Sequence, residues 1–165
     1  MSLDALPHFR AGRAEDAPAL WVLRTRCVRE LCRSHYPPEL IARWSASPAP
    51  PRYAALIEQG GCVVADDAHG RLLGYGILVL QDNEVDALFV APEQAGKGLG
   101  QAVLERLLAL ADPQRDVLLS ASLNAVAFYQ RAGFLDEGEQ AYPHPSGITL
   151  AARRMRRPAM SSALR

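Results

Sequence analysis

Two stretches of this chain bring together residues whose types and spacing could do chemistry. The first is Val90-Ala91-Pro92-Glu93-Gln94-Ala95-Gly96-Lys97-Gly98-Leu99-Gly100, which joins a segment of strand character to one of helical character. At such a junction successive main-chain N–H groups can point at one spot, where the dipole of the following helix is positive. Alternate glycines remove the Cβ atoms that would hold a ligand off the main chain. Lys97, the only lysine in the sequence, adds an ammonium at the same place. The chemistry on offer is capture of a phosphate, and the plain alternative is a flexible helix entrance. Two familiar phosphate loops do not fit: a Walker loop needs Ser or Thr after Gly-Lys, where Gly98 stands, and a dinucleotide fingerprint needs glycine at Gln101.

Just upstream, Glu84 and Asp86 alternate with Val85, Ala87 and Phe89, so the strand pattern puts two carboxylates on one side. The second chemical stretch is Ser120-Ala121-Ser122-Leu123-Asn124-Ala125-Val126-Ala127-Phe128-Tyr129-Gln130-Arg131-Ala132-Gly133-Phe134. Each residue in it has a structural job: Asn124 is a good N-cap, Phe128 and Ala132 form an apolar stripe, and Gly133 is a helix stop.

Together these letters resemble the GNAT family of N-acetyltransferases. The glycine-rich run is similar to that family's coenzyme A pyrophosphate loop, Gln/Arg-x-x-Gly-x-Gly/Ala, and the second run matches its Asn-Ala-x-x-Phe-Tyr-x-x-x-Gly-Phe pattern at each named position. The two motifs and the strand before them cover about residues 84–134. One departure stands out: Ala95 occupies the place of the usual Arg or Gln, with Gln94 one residue early. Main-chain amides of Gly96, Gly98 and Gly100, with Lys97, Leu99 and Gln101 around them, would then carry the anion.

The resemblance implies a reaction, acetyl transfer from acetyl-coenzyme A to a primary amine by direct attack in a ternary complex. It implies that Leu88, Phe89 and Val90 lie along the pantetheine arm, one N–H polarising the thioester carbonyl. It gives Asn124 a contact with that arm beside its capping role. Tyr129 becomes the acid that protonates the departing thiolate, since a phenol with an ordinary pKa of about 10 keeps its proton at neutral pH. Glu84 is the first choice of base, with Asp86 beside it. His35, Tyr36, Trp44, Tyr142 and His144 are expected walls of the acceptor site. No metal is called for, and dimers are common in the family. A coenzyme A-binding regulator without catalysis, or a protein-interaction module, is the competing reading.

The elements that must position these groups can be read around them. A first strand falls in 8–13, and a long helix runs from Ala14-Glu15-Asp16 to near Tyr36, stopped by Pro37-Pro38. Its apolar positions Leu20, Leu23, Cys27, Val28, Leu31 and Cys32 recur every three or four residues, with Arg24, Arg26, Arg29 and Arg33 turned elsewhere. Helices follow at 39–45 and 52–59, then a hairpin over 62–65 and 71–80, the strand 84–90, and a helix 99–111 with Leu99, Val103, Leu107 and Leu110 on one stripe. A strand at 116–120, a helix at 124–132, a strand from Phe134 and a last strand over 148–153 complete the chain. That order predicts a single α/β (α+β) domain over 1–165: a mixed, mostly antiparallel sheet of six to seven strands with helices on both faces. Residues 153–165, rich in arginine and without an acid, read as a frayed basic tail.

Composition bounds the partners. With 165 residues, 49% of them hydrophobic, and a formal net charge of zero, the chain suits one core and lacks the cationic excess that nucleic acid or an anionic membrane selects. A small-molecule amine or a peptide is the expected partner. Cys27, Cys32 and Cys62 have no metal-ligand spacing, and an odd count without a leader points to the reducing cytoplasm.

Overall fold

The computed structural model describes residues 6–160. Strands β1 (His8–Ala11), β2 (Cys62–Asp66), β3 (Leu72–Val79), β4 (Glu84–Val90), β5 (Val117–Ser122), β6 (Leu135–Pro143) and β7 (Thr149–Arg157) form one sheet in the order β1-β2-β3-β4-β5-β7-β6. Every neighbouring pair is antiparallel except β4 and β5. The helices are α1 (Ala17–Leu31), α2 (Pro38–Ala46), α3 (Tyr53–Leu56), α4 (Leu99–Leu110) and α5 (Val126–Arg131). No helix among the described residues is long and apolar enough to cross a membrane.

Two apolar layers sandwich the sheet. On one face Leu99, Val103 and Leu107 of α4 pack with Val63, Leu78, Val85, Leu119 and Met155. On the other, Leu20, Leu23 and Cys27 of α1 meet Ile57, Val64, Tyr75 and Ile77. Leu110, expected on the α4 stripe, is exposed as the last residue of the helix, whereas Leu107 one turn earlier is buried.

The parallel pair decides the shape of the site. β4 and β5 are matched only at Glu84–Leu118 and Val85–Leu119, and beyond that both strands continue without pairing, so the sheet opens into a wedge. Asn83 fastens the closed end. It is 1% exposed, adopts the left-handed φ of 51° that asparagine tolerates, and its side chain donates to the carbonyls of Asp112, Arg115 and Asp116 at 3.1–3.3 Å. Its Oδ1 accepts the Asp112 N–H at 2.9 Å, and its own carbonyl accepts the Leu118 N–H, which starts the parallel register.

Several expectations are corrected. Residues 85 and 87 do not share a face: the register steps from Ile77–Ala87 to Leu78–Val85, leaving Asp86 as a bulge, so Val85 joins the α4 layer and Ala87 the α1 layer. The first helix stops at Leu31, because Tyr36 is anchored across the molecule; its hydroxyl donates to the Ala151 carbonyl at 2.6 Å and accepts the Leu123 N–H at 3.0 Å. Arg24 is no surface residue: it lies on the buried stripe of α1 at 4% exposure. Residues 153–157 are not a tail but the second half of β7, between β5 and β6, where Arg153, Arg154 and Arg156 pair with Asp136, Glu84 and Asp116. The rest of that expected tail, 161–165, lies outside the described residues.

Candidate active site

The glycine loop leaves an unobstructed row of donors. Gly96 and Gly98 have φ of 76° and 84°, and an added Cβ at either would meet nothing within 4 Å. The left-handed turn at Gly98 swings the chain into α4, whose first hydrogen bond runs from Ala102 N–H to the Gly98 carbonyl at 3.1 Å. The N–H groups of Gly96, Gly98, Leu99, Gly100 and Gln101 therefore have no acceptor among the described residues. They border a cavity of about 600 Å³ that runs up the wedge between β4 and β5.

Most of the expected coenzyme residues line that cavity: Leu88, Phe89, Val90, Ala95, Gly96, Gly98, Leu99, Gly100, Gln101, Asn124 and Tyr129. Lys97 does not; it is exposed at the rim. Asn124 is not a helix cap. Ser122 and Ala125 hold the N-cap positions and neither α5 nor the short turn before it has a side-chain cap, while Asn124 Oδ1 is buried with no hydrogen-bond partner. An orphaned buried amide oxygen facing a cavity is costly unless a ligand donor reaches it.

On β4 the Ala91 N–H donates to the Leu73 carbonyl of β3, and strand alternation then turns the N–H and C=O of Leu88 and Val90 into the wedge. Cys27 Sγ already donates to the Val90 carbonyl at 3.2 Å. The Leu88 N–H is left without an acceptor among the described residues, at the head of the cavity.

A second cavity, of about 240 Å³, lies on the α1 face and is lined by Tyr36, Trp44, Glu84, Asp86, Tyr142 and His144. His35 is not part of it; it is exposed on the turn after α1 and hydrogen-bonds Ser34. Arg24, Arg52, Tyr53 and Trp21 line it too and were missed from sequence. For Arg24 the signal was available, since it falls four residues after Leu20 and four before Val28. The two cavities meet at Leu88, Phe89 and Tyr129, which border both.

Tyr129 is 8% exposed, its ring held edge-on between Phe128 and Phe134. Its hydroxyl has no hydrogen-bond partner among the described residues, and burial drives its pKa upward, keeping the phenol protonated at neutral pH. The two carboxylates differ. Glu84 is paired with Arg154 at 3.2 Å. Asp86, on the bulge, has no ion-pair partner among the described residues; its side chain reaches solvent, but the cleft walls around it partly desolvate the carboxylate and raise its pKa, opposed by Arg52 and aided by Glu84. A folded-state pKa raised in this way disfavours the ionised fold, so Asp86 destabilises the protein once the pH passes the ordinary carboxylate range. Asp86→Asn should therefore melt slightly higher than the parent at pH 7, a small gain because solvent screens the exposed carboxylate, and the gain should vanish below pH ~4, which paired melting curves would check.

The thiols are unsuited to catalysis. Burial pushes Cys27 up to about 12 and Cys32 to about 11, although both border the larger cavity. The native protein should stay unlabelled by a disulfide reagent at pH 7 and react only on unfolding; rapid native labelling of either would contradict this.

Comparison with known proteins agrees with this geometry. Residues 32–149 match the family described as Acetyltransferase (GNAT) domain. The peptidyl-lysine N-acetyltransferase YjaB of Escherichia coli (strain K12) is 26% identical over 127 residues, 76% of this chain and 78% of its own. A GCN5-related N-acetyltransferase from Rhodopseudomonas palustris superposes with a TM-score of 0.82 at 22% identity, covering 96% of this chain and 99% of that one. The PaiA N-acetyltransferase of Thermoplasma acidophilum, solved in complex with coenzyme A, superposes at 0.70 with 19% identity, covering 93% and 99%. An open wedge in a seven-stranded sheet, a bare amide loop at its mouth and a matched family signature across most of the sequence make this chain an enzyme of the GNAT acetyltransferase family.

Proposed function

We propose that the chain works as one domain that moves an acetyl group from acetyl-coenzyme A to a primary amine of a small molecule or peptide, by direct attack in a ternary complex. The observation that carries this reading is the meeting of the two cavities at Tyr129 and Leu88. The coenzyme diphosphate sits on the amides of Gly96 and of Gly98 to Gln101, and its pantetheine arm follows β4 up the wedge, with a donor for Asn124 Oδ1. The Leu88 N–H polarises the thioester carbonyl as negative charge grows on its oxygen. The amine enters from the smaller cavity, and Tyr129 gives its proton to the departing thiolate.

Asp86 is a better proton acceptor than Glu84, because the Glu84 charge is already answered by Arg154 while Asp86 is unpaired and made more basic by desolvation. Asp86→Asn should lower kcat/KM by about tenfold to a hundredfold and abolish the acid limb of the pH profile, whereas Glu84→Gln should retain that limb. Pre-steady-state and pH-rate measurements on both variants decide between them. The whole reading is tested by thiol release with a panel of amines. Failure of acetyl-coenzyme A to raise the melting temperature would remove the coenzyme site, and binding without turnover of any amine would leave a regulator. The E. coli relative acts on peptide lysines by name, which supports including a lysine peptide in the panel.

A further inference from the structure

Arg24 poses a problem of charge. It is 4% exposed, it borders the smaller cavity, and no carboxylate among the described residues bonds to it. Desolvation accordingly lowers its pKa. Its Nη2 donates to the Trp44 carbonyl at 3.0 Å and to Ser47 Oγ at 3.3 Å, and its guanidinium lies over the Trp21 ring at 4.3 Å. These contacts place the group without neutralising it, and a buried cation ordinarily has an anionic partner.

The neighbouring histidine sharpens the point. His144 Nδ1 accepts the Ser146 N–H at 3.2 Å, a backbone group that can only donate, and lies 2.8 Å from Ser146 Oγ. A neutral imidazole that accepts at Nδ1 carries its proton on Nε2. Nε2 faces Arg24 Nη2 at 3.4 Å, but the two Nη2 protons are already directed at the Trp44 carbonyl and Ser47 Oγ, so the Nε2–H lies against a guanidinium with no acceptor among the described residues. The missing partner is an oxygen, and the guanidinium charge makes an anionic one the best fit.

We propose that Arg24 and His144 seat a carboxylate of the acceptor, making the acceptor an amine of amino-acid type. The inference rests on the acetyl-transfer reading above. It agrees with the other charges in the cavity: unpaired Asp86 lies in the same chamber, and Tyr53, which bonds Tyr75 at 2.7 Å, lines it with Arg24. An ammonium drawn toward Asp86 and a carboxylate held by Arg24 match a zwitterion. The volume of about 240 Å³ suits a molecule of that size.

The test pairs each standard L-amino acid with its carboxamide at saturating acetyl-coenzyme A. For accepted pairs the free acid should show a kcat/KM at least about tenfold above the amide, through KM. Arg24→Met and His144→Ala should each bring that ratio to about one; His144 lies in the β6–β7 connection, so its variant decides the matter if Arg24→Met misfolds. A ratio near one in the parent, or one unmoved in His144→Ala, overturns the carboxylate seat. Nitrogen shifts of labelled histidine should show His144 with its proton on Nε2; a proton on Nδ1 also overturns it. If no amine is acetylated although coenzyme A binds, the acetyl-transfer reading fails instead. Calorimetry of N-acetyl amino acids against N-acetyl amino amides on the coenzyme A complex then still decides the seat, equal heats counting against it.

Discussion

Tyr129→Phe should lower kcat by about a hundredfold or more while the Kd for acetyl-coenzyme A stays within about twofold. The substitution removes one oxygen from a ring whose packing against Phe128 and Phe134 does not involve it. The hydroxyl makes no bond within the described protein, so the fold has nothing to lose. In the proposed reaction what disappears is the proton given to the departing thiolate, which matters in the transition state more than in the bound ground state. Kinetics with a poorer leaving group sharpen the test: the parent-to-variant ratio should widen as the thiol of the acyl donor is made less acidic. Equal losses in kcat and in coenzyme affinity would instead make Tyr129 a binding residue.

Asn83→Ala should cost on the order of 4 kcal/mol in folding stability and lower Tm by roughly 10 °C. Four bonds end on this buried side chain, to three carbonyls and one N–H of the α4–β5 connection, and losing it leaves those groups without their partner. Alanine at a φ of 51° adds backbone strain of about 1–2 kcal/mol. Asn83→Gly separates the contributions, because it removes the bonds without the strain. If both variants melt like the parent, the asparagine is not what locks the end of α4 to the start of β5.

Much of this was legible before any coordinates. β4 was read to the residue, since alternating side chains bounded by a polar turn and a proline leave little freedom. The bareness of the loop before α4 was legible for a similar reason: glycine spacing reports where the main chain must be unobstructed. What the letters hid was relational. A bulge at Asp86 is invisible in one strand because it exists only against the register of β3. The capping role read for Asn124 failed because the chain there winds first as a tighter turn, so Ser122 and Ala125 take the cap positions. Arg24 reads as turned away from the apolar stripe with the other arginines of α1, yet its position four residues from Leu20 and Val28 puts it on that stripe. The arginine-rich end looked like a tail because its acidic partners, Asp116, Asp136 and Glu84, are far away in sequence.

The short parallel pairing has a mechanical meaning. Val85 and Leu119 form the crotch of a fork whose tines are β4 and β5, and from there to Val90 the tine is about 16 Å long. Each degree of rotation at the crotch moves the tip by about 0.3 Å, so side-chain volume at two interior positions governs the gape at the mouth. Trimming or enlarging Val85 or Leu119 would retune the width of the cleft between β4 and β5 from two positions at its closed end.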